Sequence, residues 1–395
     1  MVLRFYKQCG GVTIRATELC LAFVLCASAV GCGASTDDGY DPHLRYATRN
    51  DPIVVAVPAD QPTSAPDPLK LDEYLATLPK LGAKVVLPAE VPAVQRDQLK
   101  QSLDALFGTP AVPVLPEGIA AVGTLSLDAE TLAKGSASFR IRCSSCHGMA
   151  GDGKGISAGF PYPRDFRNGQ FKRITGMAQN GKPRIADMQR VIRGGIPGTS
   201  MPLFDLLPDD NVDALAAYVI HLSIRGEVEA TLIRRLHPGS EDDVLDITAT
   251  ARAISAKAHR QWLEAQLPDA AHSQPILEGE TLTQSVRQGH TLFKANACLS
   301  CHEAYGKTTA YRYDIWGLPN KVQNLTQPEY HWGREPADLA RHLRHGIKPA
   351  NMPAVQMNDT DIADLVNFLR ALPYPAQLPA DVRSEVERPA TGRTP

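Results

Sequence analysis

Cys143-Ser144-Ser145-Cys146-His147 and Cys298-Leu299-Ser300-Cys301-His302 are two copies of one pattern, Cys-x-x-Cys-His, and they decide how this chain is read. Two thiols three positions apart add to the two vinyl groups of one porphyrin, and the imidazole next in sequence then lies beneath the iron. Two covalently bound haem c groups are therefore expected, with His147 and His302 as iron ligands. The competing chemistry is zinc binding or dithiol exchange. Of eight cysteines, Cys9, Cys20, Cys26 and Cys32 fall in the N-terminal leader, so the body of the chain holds only the four motif cysteines and no disulfide framework. A tetrathiolate zinc site would need both pairs to converge on one metal, yet they stand about 150 residues apart and each has its own histidine.

Arg4, Lys7 and Arg15 precede an apolar stretch from Leu19 to Val30, a secretory signal pattern too short to span a bilayer. The stretch ends in Ala29-Val30-Gly31-Cys32, which resembles a bacterial lipobox with Ala29 where leucine is usual. Cys32 is then the lipidated first residue of the mature protein. The alternative is an ordinary signal peptide with an incidental cysteine. Either way the chain is expected on the periplasmic side of the membrane, where haem attachment takes place in bacteria, with membrane contact through the lipid.

The chain of 395 residues is 43% apolar and 6% aromatic, with a formal net charge of −2, a balance that excludes a strongly basic nucleic-acid binder. Few aromatics suffice where a porphyrin fills much of a core. Residues 1–31 read as leader and 32–68, rich in Asp, Pro, Thr and Ala, as a flexible tether. Residues 69–125 form a small extension with helices expected over Leu71 to Leu78 and Val94 to Phe107, the latter placing Val94, Leu99, Leu103 and Leu106 near one face. A first haem domain (126–236), a helical connector (237–279), a second haem domain (280–375) and a disordered tail (376–395) complete the expected organisation.

The haem domains are a repeat. Asp187, Arg190, Arg193, Gly195, Ile196, Met201 and Pro202 recur as Asp338, Arg341, Arg344, Gly346, Ile347, Met352 and Pro353, all at an offset of 151. Gly135 and Phe139 stand before the first motif as Gly289 and Phe293 stand before the second. A closing helix ends each unit: Val212, Leu215, Tyr218 and Leu222 recur as Ile362, Leu365, Phe368 and Leu372, a spacing that builds one apolar stripe. Pro208 and Asp209 start the first of these helices, and Asn358 or Asp359 the second.

Each unit resembles a class I c-type cytochrome domain, a small helical fold around a covalent haem, so the fold class is mainly α with two such domains in tandem. The resemblance covers roughly 126–225 and 280–375. It implies that the first and last helices of each unit cross through a glycine and an aromatic, here Gly135 with Tyr218 and Gly289 with Phe368. The segments Pro163-Arg164-Asp165-Phe166, Gly198-Thr199-Ser200-Met201-Pro202 and Arg225-Gly226-Glu227-Val228-Glu229 are similar to dihaem cytochromes of bacterial respiratory chains and to haem subunits of terminal oxidases.

The second axial ligand separates carriers from catalysts. A soft, uncharged thioether favours ferrous iron and raises the potential. Met201 lies 54 residues after His147 and Met352 lies 50 after His302, each followed by a proline that stiffens the loop. Met149, Met177 and Met188 compete in the first unit and Met357 in the second. Only Met201 and Met352 align with each other. His221, His331, His342 and His345 are the histidine alternatives, with solvated surface residues as the plainer reading of all four. Arg164, Arg167 and Lys172, or Trp332 and Arg334, are candidates for pairing with haem propionates, against a reading as surface charge. Tyr313 and Trp316 read as haem-pocket packing.

These readings point to an exported, periplasm-facing dihaem carrier that takes electrons from one redox protein and passes them to another, such as a terminal oxidase or reductase. No side chain is needed as acid, base or nucleophile. Two rivals stand beside it. One is a dihaem peroxidase or sulfur-compound dehydrogenase with a displaceable axial ligand. The other is an obligate haem subunit of a larger oxidoreductase.

Overall fold

The computed structural model describes residues 41, 43–63, 70–116, 119, 125–172, 174, 181–241, 246–267, 277–308, 310–330 and 333–388. The leader with Cys32, together with Met177, His331 and Trp332, lies outside them.

Strand β1 (Ile53–Ala56) pairs antiparallel with β2 (Lys84–Val86), with Ile53 opposite Val86, and helices α1 (Leu71–Thr77) and α2 (Ala93–Phe107) flank the pair. Helix α2 turns Leu99, Leu103, Leu106 and Phe107 into the first core, whereas Val94 is 69% exposed, because its position one residue into the helix falls outside that stripe. The extension thus covers the first haem domain.

In the first haem domain, α3 (Ala129–Arg142) opens on Asp128, whose carboxylate accepts the Thr131 amide and satisfies a first-turn donor. A single helical turn, Ser144–His147, carries the motif, and α4 (Ile185–Gly194) leads into the Met201 loop. Helix α5 (Asp209–Leu236) has 28 residues, about 42 Å at 1.5 Å per residue. From Ala214 to Gly226, through and beyond the closing stripe, its whole circumference is buried. His221, Ser223 and Arg225 are enclosed with the apolar side chains, and α6 (Ile247–Ala265) supplies part of that cover by burying Ile247, Ala251, Ala258, Trp262 and Ala265. The connector's helix therefore belongs to the first core.

The second domain repeats the plan with α7 (Gly279–Ala295), a short hairpin of β3 (Tyr311–Tyr313) and β4 (Pro319–Lys321), α8 (Pro336–His345), and α9 (Asp359–Ala371), whose N-cap Asn358 accepts the Asp361 amide. In both domains the glycine crossing is present. A Cβ on Gly135 would stand 2.0 Å from the Ala214 carbonyl oxygen, and one on Gly289 would stand 2.1 Å from that of Asp364. Phe139 meets Tyr218 edge-on at 5.4 Å, and Phe293 meets Phe368 at 5.6 Å.

Two expectations are corrected. From 43 to 63 the segment read as a tether is packed structure: Tyr46 and Ile53 are buried, and Arg49 and Asp51 are held by ion pairs to the first domain. The tail read as disordered forms helix α10 (Ala380–Val386); Leu378 just before it and Val382 and Val386 within it are buried in the second core, and Glu385 pairs with Lys294 at 2.9 Å. In each segment a few well-placed apolar side chains, Tyr46 and Ile53 in the first and Val382 and Val386 in the second, hold the chain down.

Candidate haem sites

Each motif histidine is aimed by a backbone carbonyl. His147 donates from Nδ1 to the Arg164 carbonyl at 3.1 Å, and His302 donates from Nδ1 to the Gln323 carbonyl at 3.1 Å. This fixes the tautomer and leaves Nε2 as the nitrogen with a lone pair to offer a metal in both sites. Burial lowers the pKa of both imidazoles, which keeps them neutral as ligands must be. The first is further held by Phe166, stacked at 4.6 Å and 18°. Phe166 stacks on Phe171 at 5.9 Å, which meets buried Trp262 of α6 edge-on at 5.6 Å. An aromatic column thus runs from the first site into the connector helix.

All four motif cysteines are partly exposed, and none is in a disulfide. Burial pushes the Cys143 thiol up to about 12 and also raises Cys298, against low-pKa dithiol chemistry. Among the described residues no three His, Cys, Asp or Glu side chains are grouped as a cluster that could hold a metal ion. The donor set fits haem: paired thiols, an oriented imidazole and, in the second domain, Cys298, Leu299, Met352 and Val355 as half-buried apolar groups on the rim of one core.

The methionine loops are built alike. The Ile196 amide donates to the Met201 carbonyl at 3.2 Å, and the Ile347 amide donates to that of Met352 at 2.9 Å. Gly195 and Gly346, both at positive φ, let the loops close against these carbonyls, where a Cβ would meet oxygen at 2.7 and 2.4 Å. Met188 is buried in the first core and serves as packing. Met357 is half-buried near Met352 but has no counterpart in the first domain.

Two histidines read as surface residues are buried. His221 of α5 sits fully enclosed among Tyr46, Phe107 and Tyr218, stacked on Tyr218 at 5.8 Å, and burial with Arg225 alongside pushes its pKa down to about 3. His342 of α8 lies against the first domain, where it bonds the Ile174 backbone. Burial and the Arg341 charge lower it to about 4, outweighing Asp338 and Asp187. A group neutral when folded and protonated when unfolded loses its contribution as pH falls from the unfolded value, about 6.5, through the folded one. Between pH 6.5 and 4 the wild type is expected to lose stability, and His342→Gln to flatten that loss. Denaturant titrations at each pH that gave parallel curves for both proteins would contradict this assignment.

The propionate candidates are already engaged by protein groups. Arg167 pairs with Asp51 and Asp165, each at 2.9 Å. Lys172 pairs with buried Asp314 at 2.8 Å, and Arg334 lies over Tyr374 at 4.8 Å. Arg164 is half-buried with its guanidinium 4.0 Å over the ring of Trp316, so a first-domain cation stacks on an indole of the second domain. Sequence reasoning missed the roles of Arg164 and Gln323 toward the imidazoles. A backbone carbonyl acts there, and any residue type has one.

The Cytochrome c family model matches residues 132–223 and 286–373. No curated protein matches the chain. A solved structure, described as the Kuenenia stuttgartiensis reducing HAO-like protein complex Kustc0457/Kustc0458, superimposes with a TM-score of 0.41 at 19% identity. The match covers 60% of this chain and 95% of that one.

Proposed function

Because the chain belongs to the cytochrome c family through two separate domains, we propose that it is an exported dihaem electron carrier that relays electrons between a donor and an acceptor redox protein of a respiratory chain. The observation that carries the proposal is the equivalence of the two sites: each has an imidazole locked through Nδ1, paired thiols, and a Met-Pro loop closed on a glycine at positive φ. When bound, haem supplies one-electron iron chemistry. The thiols tether it, the Arg164 and Gln323 carbonyls orient the imidazoles, and the methionine loops present soft sulfur. Matching sulfur caps at both sites favour outer-sphere transfer over binding of a small molecule at iron.

The test counts haems per chain, with two expected. It then records the weak red charge-transfer band of methionine-bound ferric haem in Met201→Ala and Met352→Ala. Each variant is expected to lose half of the band. A band indifferent to both substitutions overturns the ligand assignment, and ready cyanide or peroxide binding by the wild type points to the enzyme reading instead.

Export rests on the leader, and attachment on Cys32, which we propose as the lipidated N-terminus of the mature chain. No described helix is long and apolar enough to cross a membrane. The intact mass of the purified protein, with or without acyl chains on Cys32, decides the anchor.

A further inference from the structure

The two domains meet at a clamp that touches both sites. On the first-domain side stands Arg164, whose carbonyl accepts the Nδ1 hydrogen of His147 and whose guanidinium lies 4.0 Å over Trp316. Such a contact is a cation–π attraction between the guanidinium and the indole face. Trp316 sits at the tip of the β3–β4 hairpin. That tip is rigid: fully buried Asp314 accepts the amides of Trp316 and Leu318, both at 2.9 Å, and holds Lys172 of the first domain at 2.8 Å. Nearby, Tyr74 of the extension donates to the Gly317 carbonyl at 3.0 Å.

The same hairpin grips the Met352 loop. The Ile315 amide donates to the Pro349 carbonyl at 3.3 Å, and the Asn351 side chain donates to the Tyr313 carbonyl at 2.7 Å. The Met352 amide in turn donates to Ile347 at 3.2 Å. A line of covalent bonds, hydrogen bonds and one stacking contact therefore joins the imidazole of the first site to the sulfur of the second. Its order is His147, Arg164, Trp316, Ile315, Pro349 and Met352. Its only step without a covalent or hydrogen bond is the 4.0 Å stack.

We propose that Trp316 is a positioning residue that couples the two sites, holding the segment that orients His147 and closing the bonded route from that ligand to Met352. The inference rests on the reading of His147 and Met352 as axial ligands. Electronic coupling decays less steeply along bonds than across a gap, so an aromatic ring in van der Waals contact carries an electron better than the space a smaller residue leaves. One electron passes from the reduced site to the oxidised one, with no bond made or broken and no further reagent beyond the external donor. Second-shell partners of metal-ligating histidines tune the metal, so loosening Arg164 also shifts the potential of the first site.

The experiment uses the full-length, haem-loaded protein with Trp316→Leu, Trp316→Phe and Arg164→Gln, the last keeping the carbonyl while removing the cation from the ring. Three quantities are read: electron redistribution between the haems after flavin photoreduction of one, both midpoint potentials, and the red band. Trp316→Leu is expected to slow redistribution severalfold and to move the first potential alone. Trp316→Phe is expected to recover most of the rate, with Arg164→Gln between the two and the band intact throughout. An unchanged rate in the leucine variant overturns the proposal. So does an equal slowing in the leucine and phenylalanine variants with a larger radius of gyration, which marks a domain glue and nothing more. A wild type without the band at both sites sinks the ligand reading itself, a result separable from failure of the bridge.

Discussion

Replacing Asp51 with alanine is expected to cost about 3–5 kcal/mol of folding stability, the scale for removing one partner from a buried charge cluster. Its carboxylate is 2% exposed and meets Arg167 at 2.9 Å, Arg49 at 3.0 Å and Lys154 at 3.4 Å. Without it, two guanidiniums, each about 4% exposed, are left facing one another. Asp165 remains for Arg167 at 2.9 Å, and for Arg49 at 3.6 Å; one carboxylate is then shared between two cations. The pH dependence has a definite sign. Burial alone would raise the Asp51 pKa, but Arg49, Arg167 and Lys154 together outweigh it and hold the group well below the usual carboxylate range. Its contribution is complete above the pKa of an unfolded aspartate, about 3.9, and is lost as pH falls through the folded value. Urea denaturation followed by the absorbance of the first domain measures the loss. A cost below about 1 kcal/mol, the scale of an exposed pair, would show that the cluster is solvated.

Gly135→Ala and Gly289→Ala are expected to cost about 2 kcal/mol or more each, with the corresponding valines worse. Alanine gains about 1 kcal/mol of helix propensity over glycine, so on propensity alone both changes would stabilise. The crossing reverses that sign. A new Cβ would stand 2.0 Å from the Ala214 oxygen and 2.9 Å from the Tyr218 Cβ in the first domain. In the second it would stand 2.1 Å from the Asp364 oxygen. Backbone cannot rotate away as a side chain can, so the helices must part, and overpacking of this kind costs about 1–3 kcal/mol or more. Gly194, at the end of α4 with nothing within 4 Å of a built Cβ, is the control: Gly194→Ala is expected to be neutral or mildly stabilising. Equal effects at positions 135 and 194 in thermal melts would show that propensity, not the crossing, decides.

The haem motifs, the duplicated plan, the closing helices and the glycine crossings were legible because each is a local pattern: a pentapeptide, a fixed offset, a period of three to four residues. Caps followed the same logic, with Asn358 starting α9. The methionine loops were legible only through the repeat, since one methionine in isolation reads as packing. What failed to read out involved polar residues whose partners lie far along the chain. Asp51 and Arg167 are 116 residues apart, and Arg49 bonds Glu229 across 180; a stretch with those side chains and no periodicity looks like a solvated tether until its partners are in place. His221 looked like surface because the helix stripe counted there was the closing one, and the far side of α5 is covered by Tyr46 of the 43–63 segment and Phe107 of the extension.

By itself the sequence carried the case for the proposed chemistry: two thiol-pair motifs with their histidines, their duplication, and the pair of aligned Met-Pro loops we propose as sulfur ligands, all read from covalent spacing and repetition. Only the tertiary structure decided which backbone carbonyls aim the imidazoles, that the extension and tail are part of the packed body, and that Trp316 stands between Arg164 and the Met352 loop. The physical reason is one of range. Bonded geometry and helical period act over a few residues, whereas burial of charge and contact between domains depend on groups brought together from more than a hundred residues away.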